Sequence, residues 1–158
     1  MKKCNGIWFY GLSGSGKTYI SKILHKKIKD SVVLDGDIIR KYVSTDLNYS
    51  KKHRIIQLNR VFGIGKIVIK SKKFPIISTA YFTNEINKKC KLTRILAIRV
   101  VRNNFNKIIK SHKIYKNSSN VVGKDIKFKN VKTKIIINDN SNNFIFKFKL
   151  FKNLNFFN

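Results

Sequence analysis

The chain has 158 residues, 42% of them hydrophobic, with one proline, two cysteines and a formal net charge of +28. That length accommodates one packed domain, 1–158, and no apolar stretch approaches the ~18 uninterrupted residues of a membrane span, which excludes a transmembrane helix. Cys4 and Cys90 have neither metal-binding nor redox spacing, which excludes a zinc module or a disulfide scaffold and fits reduced thiols in a soluble cytoplasmic protein.

Met1-Lys2-Lys3 ahead of apolar residues superficially resembles a signal peptide. The apolar run is too short and feeds straight into a glycine-rich loop, so a first strand is expected over Gly6 to Tyr10. Gly11-Leu12-Ser13-Gly14-Ser15-Gly16-Lys17-Thr18 then forms a complete G-x-x-x-x-G-K-[ST] phosphate-binding loop. A helix expected over Lys17 to Lys29 supplies the flank such a loop requires, with its N-terminus facing the phosphates. The chemistry depends on these residue types. Glycines let backbone N–H groups converge on phosphate oxygens, Lys17 reaches the β- and γ-phosphates, and the Thr18 hydroxyl ligates Mg²⁺. The loop therefore predicts a bound nucleoside triphosphate with Mg²⁺.

Val32-Val33-Leu34 reads as a second strand, ending in Asp35-Gly36-Asp37. A helix follows over His53 to Ser71, against the preference of Gly63 and Gly65. Further strands are expected at Pro75 to Thr79, Ile95 to Val101 and Lys134 to Ile137, with a helix at Asn104 to Lys110 and an irregular polar stretch from Lys113 to Lys129. The run Phe144 to Leu150 partly alternates, which favours an edge strand, with a helix as the alternative. Short apolar strands alternating with helices indicate an α/β fold of the P-loop NTPase type: three layers, α/β/α, with a mostly parallel five-stranded sheet. Ligands in such folds lie beyond the carboxyl ends of the strands, so the phosphate loop and Asp35-Gly36-Asp37 should converge. One carboxylate there can orient or deprotonate an acceptor hydroxyl and the other can hold Mg²⁺ through water. A turn in which Asp37 caps the next helix competes with that reading. His25, His53 and His112 share no evident geometry and read as surface or partly packed residues.

These residues together carry a family resemblance. The loop Gly11 to Thr18, then Leu34-Asp35-Gly36-Asp37-Ile38-Ile39-Arg40, then Asp46-Leu47-Asn48-Tyr49-Ser50 with Arg54 and Arg60, resembles adenylylsulfate kinase, whose members carry G-L-S-G-x-G-K-[ST], L-D-G-D-x-x-R and D-L-G-[FY]-S segments. Ile114-Tyr115-Lys116 and Asn120 to Phe128 resemble the family's lid, which implies a short lid at about 112–130. The resemblance covers about residues 5 to 140. It implies transfer of the ATP γ-phosphoryl group to the 3′-hydroxyl of adenosine 5′-phosphosulfate in sulfate activation. It further implies that Lys17 and Thr18 hold the triphosphate and Mg²⁺, that Asp35 orients the acceptor hydroxyl, and that Asp37 supports the metal through water or the site geometry. Arg40, Arg54 and Arg60 would bind the anionic acceptor, since a planar guanidinium fork pairs with oxyanions, and Tyr49 would stack on its base.

The chain departs from the family at Ala80-Tyr81-Phe82-Thr83-Asn84, where a serine and an arginine are usual. It departs also at Ile109-Lys110 in place of an arginine–aspartate pair, in a lid shortened between Tyr115 and Val121, and at Val121 itself, where an aromatic residue is usual. A related group encoded among surface-polysaccharide genes is more similar at Thr79 to Ile86 and Asn120 to Phe128. That similarity leaves open a second acceptor class, another nucleotide-linked compound.

The charge of +28 suggests a nucleic-acid or anionic partner, or a degenerate ATP binder that has kept a basic surface. Against this, Lys, Asn, Ile and Phe dominate while Arg, Pro, Ala and Gly are scarce, the signature of AT-rich codons, and the lysines are scattered. The partners expected are therefore small nucleotides, with no specific nucleic acid and no membrane, and a homodimer stands open.

Overall fold

A computed structural model describes residues 4–103, 106, 109–110, 112–139 and 141. In chain order the elements are β1 (Gly6–Tyr10), α1 (Lys17–Lys27), β2 (Ser31–Asp35), α2 (Gly36–Tyr42), α3 (Lys51–Lys70), β3 (Phe74–Thr79), α4 (Asn84–Leu92), β4 (Ile95–Arg102), α5 (Lys113–Asn117) and β5 (Lys134–Asn138). The helix expected at Asn104 to Lys110 falls largely outside the described residues, and the run Phe144 to Leu150 wholly so. No helix among the described residues is long and apolar enough to cross a membrane.

The sheet order is β2-β3-β1-β4-β5, and every pairing is parallel. Strand β1 is buried along its whole length because it is central and covered on both faces. Its alternate side chains divide between two cores. Trp8 and Tyr10 pack with Leu58, Val61, Phe82 and Ile86, under α3 and α4. Ile7 and Phe9 pack with Ile20 and Leu24 of α1 on the opposite face. The result is the expected α/β/α layering, with Tyr10 stacked on Phe82 at 4.2 Å between ring centroids.

Helix α3 starts two residues earlier than expected, where the Ser50 hydroxyl accepts from the His53 N–H, and it runs unbroken through both glycines. Gly65 has a packing reason: a Cβ there would lie 3.0 Å from Ile77 Cδ1, so its absence lets the helix lie close on the sheet. Helix α4 is not among the expected elements; its N-terminus is set by the Thr83 hydroxyl, which accepts from the Ile86 N–H. The polar stretch after β4 is not wholly irregular, since it contains α5 and a tight turn from Val121 to Ile126.

This topology positions the site. The chain leaves β1 toward β2 on one side and later fills β4 on the other, so the crevice beyond β1 lies at a switch point of the sheet. The phosphate loop, the end of β2 and the end of β3 all open onto it.

Candidate active site

The loop after β1 is held from outside. Arg102 Nη1 donates to the Gly14 carbonyl at 3.0 Å, the Tyr115 hydroxyl to Ser13 O at 3.1 Å, and Asn138 Nδ2 to Ser15 O at 3.0 Å. Three successive loop carbonyls, of Ser13, Gly14 and Ser15, are thus tied by side chains from outside the loop, and the Ser15 N–H is bonded within it to Leu12 O at 3.1 Å. Gly11 cannot be replaced locally: its φ is +152°, and a Cβ would come within 2.3 Å of the Val100 carbonyl oxygen.

Lys17 folds back over this loop, its ammonium donating to Leu12 O at 2.8 Å. Burial lowers its pKa from 10.5 to about 8, against the opposing pull of Asp37 and Asp35. The ammonium is thus partly desolvated, and a bound triphosphate would favour its charged form.

Asp35 ends β2 and joins three elements. Its Oδ1 accepts from the Asp37 N–H at 2.9 Å, capping α2. Its Oδ2 accepts from the Ser78 hydroxyl at 3.0 Å and the Thr18 hydroxyl at 3.3 Å. The cap is therefore Asp35, while Asp37 is exposed and its carboxylate makes no hydrogen bond among the described residues. Asp37 is also the largest electrostatic influence keeping Lys17 charged. Thr18, Asp35 and Ser78 together form a cluster of hard oxygen donors, the kind that suits Mg²⁺ held jointly by one or two side chains and phosphates. It is Asp35, not Asp37, that stands beside Thr18.

Arg40 and Arg54 line the same cleft, whose volume is about 210 Å³. Arg40 is buried, its Nη1 donating to Leu47 O at 3.3 Å and Asn48 O at 2.8 Å. Arg54 donates from Nε to Tyr49 O at 3.0 Å and from Nη2 to Asn120 O at 2.7 Å, linking α3 to the lid. Burial and the neighbouring Arg40 disfavour its charge, and Asp37 favours it. The Tyr49 ring lies against both guanidiniums, 4.7 Å from Arg40 and 5.4 Å from Arg54, though it is not part of the cleft wall.

Arg60 is placed elsewhere. It faces away from the cleft and forms a bidentate pair with Asp46, the second contact being 2.8 Å, at the protein surface. Gln57, Leu58 and Ser78 also line the cleft without having been expected there, joined by Tyr81 of the altered segment 80–84 and by His112 and Ile114 of the stretch expected as a lid. Gln57 and Leu58 follow Arg54 by three and four residues, so helical spacing alone puts all three on one face. Cys90 is buried and its thiol pushed up to about 12, which leaves it unreactive.

The model of the adenylylsulphate kinase family matches residues 3–117, and the chain belongs to that family. It is 36% identical over 76 residues to a probable adenylyl-sulfate kinase of Synechocystis sp., a match covering 46% of this chain and 43% of that protein. Against the adenylyl-sulfate kinase of Bacteroides fragilis it is 35% identical over 99 residues, covering 60% and 46%. The matched segment thus spans less than half the length of these relatives. Among solved structures, the Mycobacterium tuberculosis APS kinase CysC, in complex with AMPPNP and APS, superposes with a TM-score of 0.76 at 20% identity over 98% of each chain. A sugar kinase from Janibacter sp. superposes at 0.65 with 11% identity over 96% of each. At such identities these likenesses establish the fold alone.

Proposed function

We propose that this chain, as a member of the adenylylsulphate kinase family, uses ATP and Mg²⁺ to phosphorylate the 3′-hydroxyl of adenosine 5′-phosphosulfate. The observation that carries the reading is the meeting of Lys17, Asp37 and Arg54 in one cleft beside a phosphate loop, with the Asp37 carboxylate exposed there. Bound Mg²⁺ would neutralise charge on the transferring phosphates.

The chain's own residues divide the rest. The Gly14 and Gly16 N–H groups and the Lys17 ammonium bind the triphosphate, and Thr18 and Asp35 offer oxygens on its Mg²⁺ side. Arg40 and Arg54 hold the anionic acceptor at the opposite wall. The acceptor hydroxyl gives its proton to the Asp37 carboxylate as its oxygen bonds to the γ-phosphorus. The bond from that phosphorus to the β–γ bridging oxygen breaks, and ADP leaves. This allocation exchanges the two aspartates relative to the sequence expectation, because Asp35 is already committed to Thr18, Ser78 and the α2 cap.

A second acceptor class keeps a specific observation in its favour. Tyr81 stands in the altered segment 80–84 and lines the cleft directly, so the acceptor wall differs from the family pattern where it would touch substrate. A coupled ATP-turnover assay against a panel of acceptor nucleotides tests both. Stimulation by adenosine 5′-phosphosulfate supports the reading, stimulation only by another nucleotide moves the acceptor, and no stimulation by any removes kinase activity from the account.

A further inference from the structure

The segment between α2 and α3 presents three successive carbonyls to the cleft arginines. Leu47 O and Asn48 O accept from Arg40 Nη1 at 3.3 and 2.8 Å, and Tyr49 O accepts from Arg54 Nε at 3.0 Å. The Tyr49 ring completes the arrangement by lying against both guanidiniums. A carbonyl holds its direction only as well as its peptide plane does. Within a trans peptide the oxygen and the N–H point in opposite directions. The unit joining Leu47 to Asn48 has its oxygen on Arg40, and its N–H, facing away, donates to His53 Nδ1 at 3.0 Å. Arg40 and His53 thus hold one peptide unit from its two ends. The half-buried His53 ring is placed there by the first turn of α3, which Ser50 caps.

We infer that His53 is a positioning residue for Arg40 and Arg54, acting through segment 47–49, and that the site keeps its geometry only while the ring is neutral. This rests on the reading of the two arginines as acceptor ligands. The bond needs an Nδ1 without a proton, so protonation of the ring turns an acceptor into a second donor facing the Asn48 N–H. The peptide unit then turns away, and the guanidiniums lose the carbonyls that aim them. The charged groups around the ring belong to the same network. Asp46 on the segment has its carboxyl held below the usual value chiefly by Arg60 and in smaller part by His53. Arg40 reaches the segment from α2 and Arg54 and Arg60 from α3, whose first turn also carries the exposed Lys51 and Lys52.

The test compares wild type, His53→Ala and His53→Asn as full chains. Asparagine carries Oδ1 as many bonds from the backbone as histidine carries Nδ1, and it does not titrate, so it keeps the acceptor and removes the proton. With adenosine 5′-phosphosulfate at neutral pH, His53→Ala should raise the acceptor KM about fivefold with the ATP KM little changed, and His53→Asn should restore it. Between about pH 7.5 and 5.5 the wild-type acceptor KM should rise about fivefold relative to that of His53→Asn. In proton–nitrogen correlation spectra of the nucleotide-free chain, the Asn48 amide and Arg40 Nε–H signals should move with the His53 ring signals in wild type and stay still in His53→Asn. Signals indifferent to the ring's titration, or a wild-type pH dependence shared by His53→Asn, would overturn the inference. So would a His53→Asn variant no better than His53→Ala. Should His53→Ala fold poorly, wild type against His53→Asn still decides. If no acceptor supports turnover in any of the proteins, the kinase reading fails and the spectra alone decide the role of His53.

Discussion

The Thr18 hydroxyl donates to Asp35 Oδ2 across 3.3 Å, joining the first turn of α1 to the end of β2. The two residues are 17 positions apart, but parallel β2 and β3 put Asp35 level with Ser78, which donates to the same oxygen. One carboxylate is thereby fixed by three hydrogen bonds, from Thr18, Ser78 and the Asp37 N–H. The other, two residues later, is left exposed to the cleft. The separation of roles follows from where the strand stops and the helix begins.

Lys17 should give the enzyme a basic pH limit. Burial has lowered its pKa to about 8, so the free enzyme loses the ammonium as pH rises through that value. The expected kcat/KM for ATP is level below about 7 and falls above 8, whereas kcat at saturating ATP falls only at higher pH because bound phosphate restores the charge. For stability the sign is opposite. Between about 8 and 10.5 the unfolded chain holds the proton more tightly, so this group's contribution to stability rises with pH. A pH profile of both kinetic constants checks the first; identical limbs for the two would contradict it.

Arg54 and Arg60 should separate. Arg54→Ala is expected to raise the acceptor KM by an amount worth about 1.5–3 kcal/mol, the range for a hydrogen bond to a charged group, with the KM for ATP little changed. Arg60→Ala should leave both constants within about twofold, because its guanidinium is spent on Asp46 at the surface. Steady-state kinetics on the two variants decide, and a large acceptor effect in Arg60→Ala would put that residue back at the substrate.

Gly11→Ala should be costly without touching any charged group. The Val100 carbonyl oxygen 2.3 Å from the new Cβ forces loop and strand apart on top of a backbone strain of about 1–3 kcal/mol. Thermal unfolding should show a lowered midpoint together with weaker ATP binding. An unchanged midpoint would show that the loop is held differently.

The basic surface should prove non-specific. Duplex DNA or RNA should bind weakly and dissociate near physiological ionic strength, while acceptor-stimulated turnover persists at that salt. Filter binding and turnover across one salt series test this; submicromolar nucleic-acid binding at physiological salt without nucleotide-stimulated turnover would make the charge the functional feature.

Much of the site was legible because it is local. The phosphate loop and Asp35-Gly36-Asp37 are short segments whose backbone geometry follows from their own residues and flanks. Arg54 was legible from its motif, but Arg60 was not separable from it by composition. Six residues along a helix amount to a rotation that places it about 120° from Arg54, on another face. The split between Asp35 and Asp37 depended on Ser78 and Thr18, which meet only through β2–β3 pairing and the return of α1. Tyr81 stood out in the sequence only as part of the altered segment 80–84. It follows β3 in an apolar stretch, Tyr81-Phe82, of which Phe82 packs on Tyr10 while Tyr81 reaches the cleft wall. Helix α4 escaped notice because its cap, Thr83, has no acidic partner three residues on to complete a capping box.

The central claim is phosphoryl transfer through this cleft, and it is tested most directly by following γ-labelled ATP in a single turnover with adenosine 5′-phosphosulfate, using wild type and Lys17→Ala. The account predicts label appearing on the acceptor with wild type, and a rate at least about a hundredfold lower in the folded Lys17→Ala variant, since that substitution removes charge stabilisation of the transferring group rather than core packing. Label reaching the acceptor at the same rate in both proteins would contradict it.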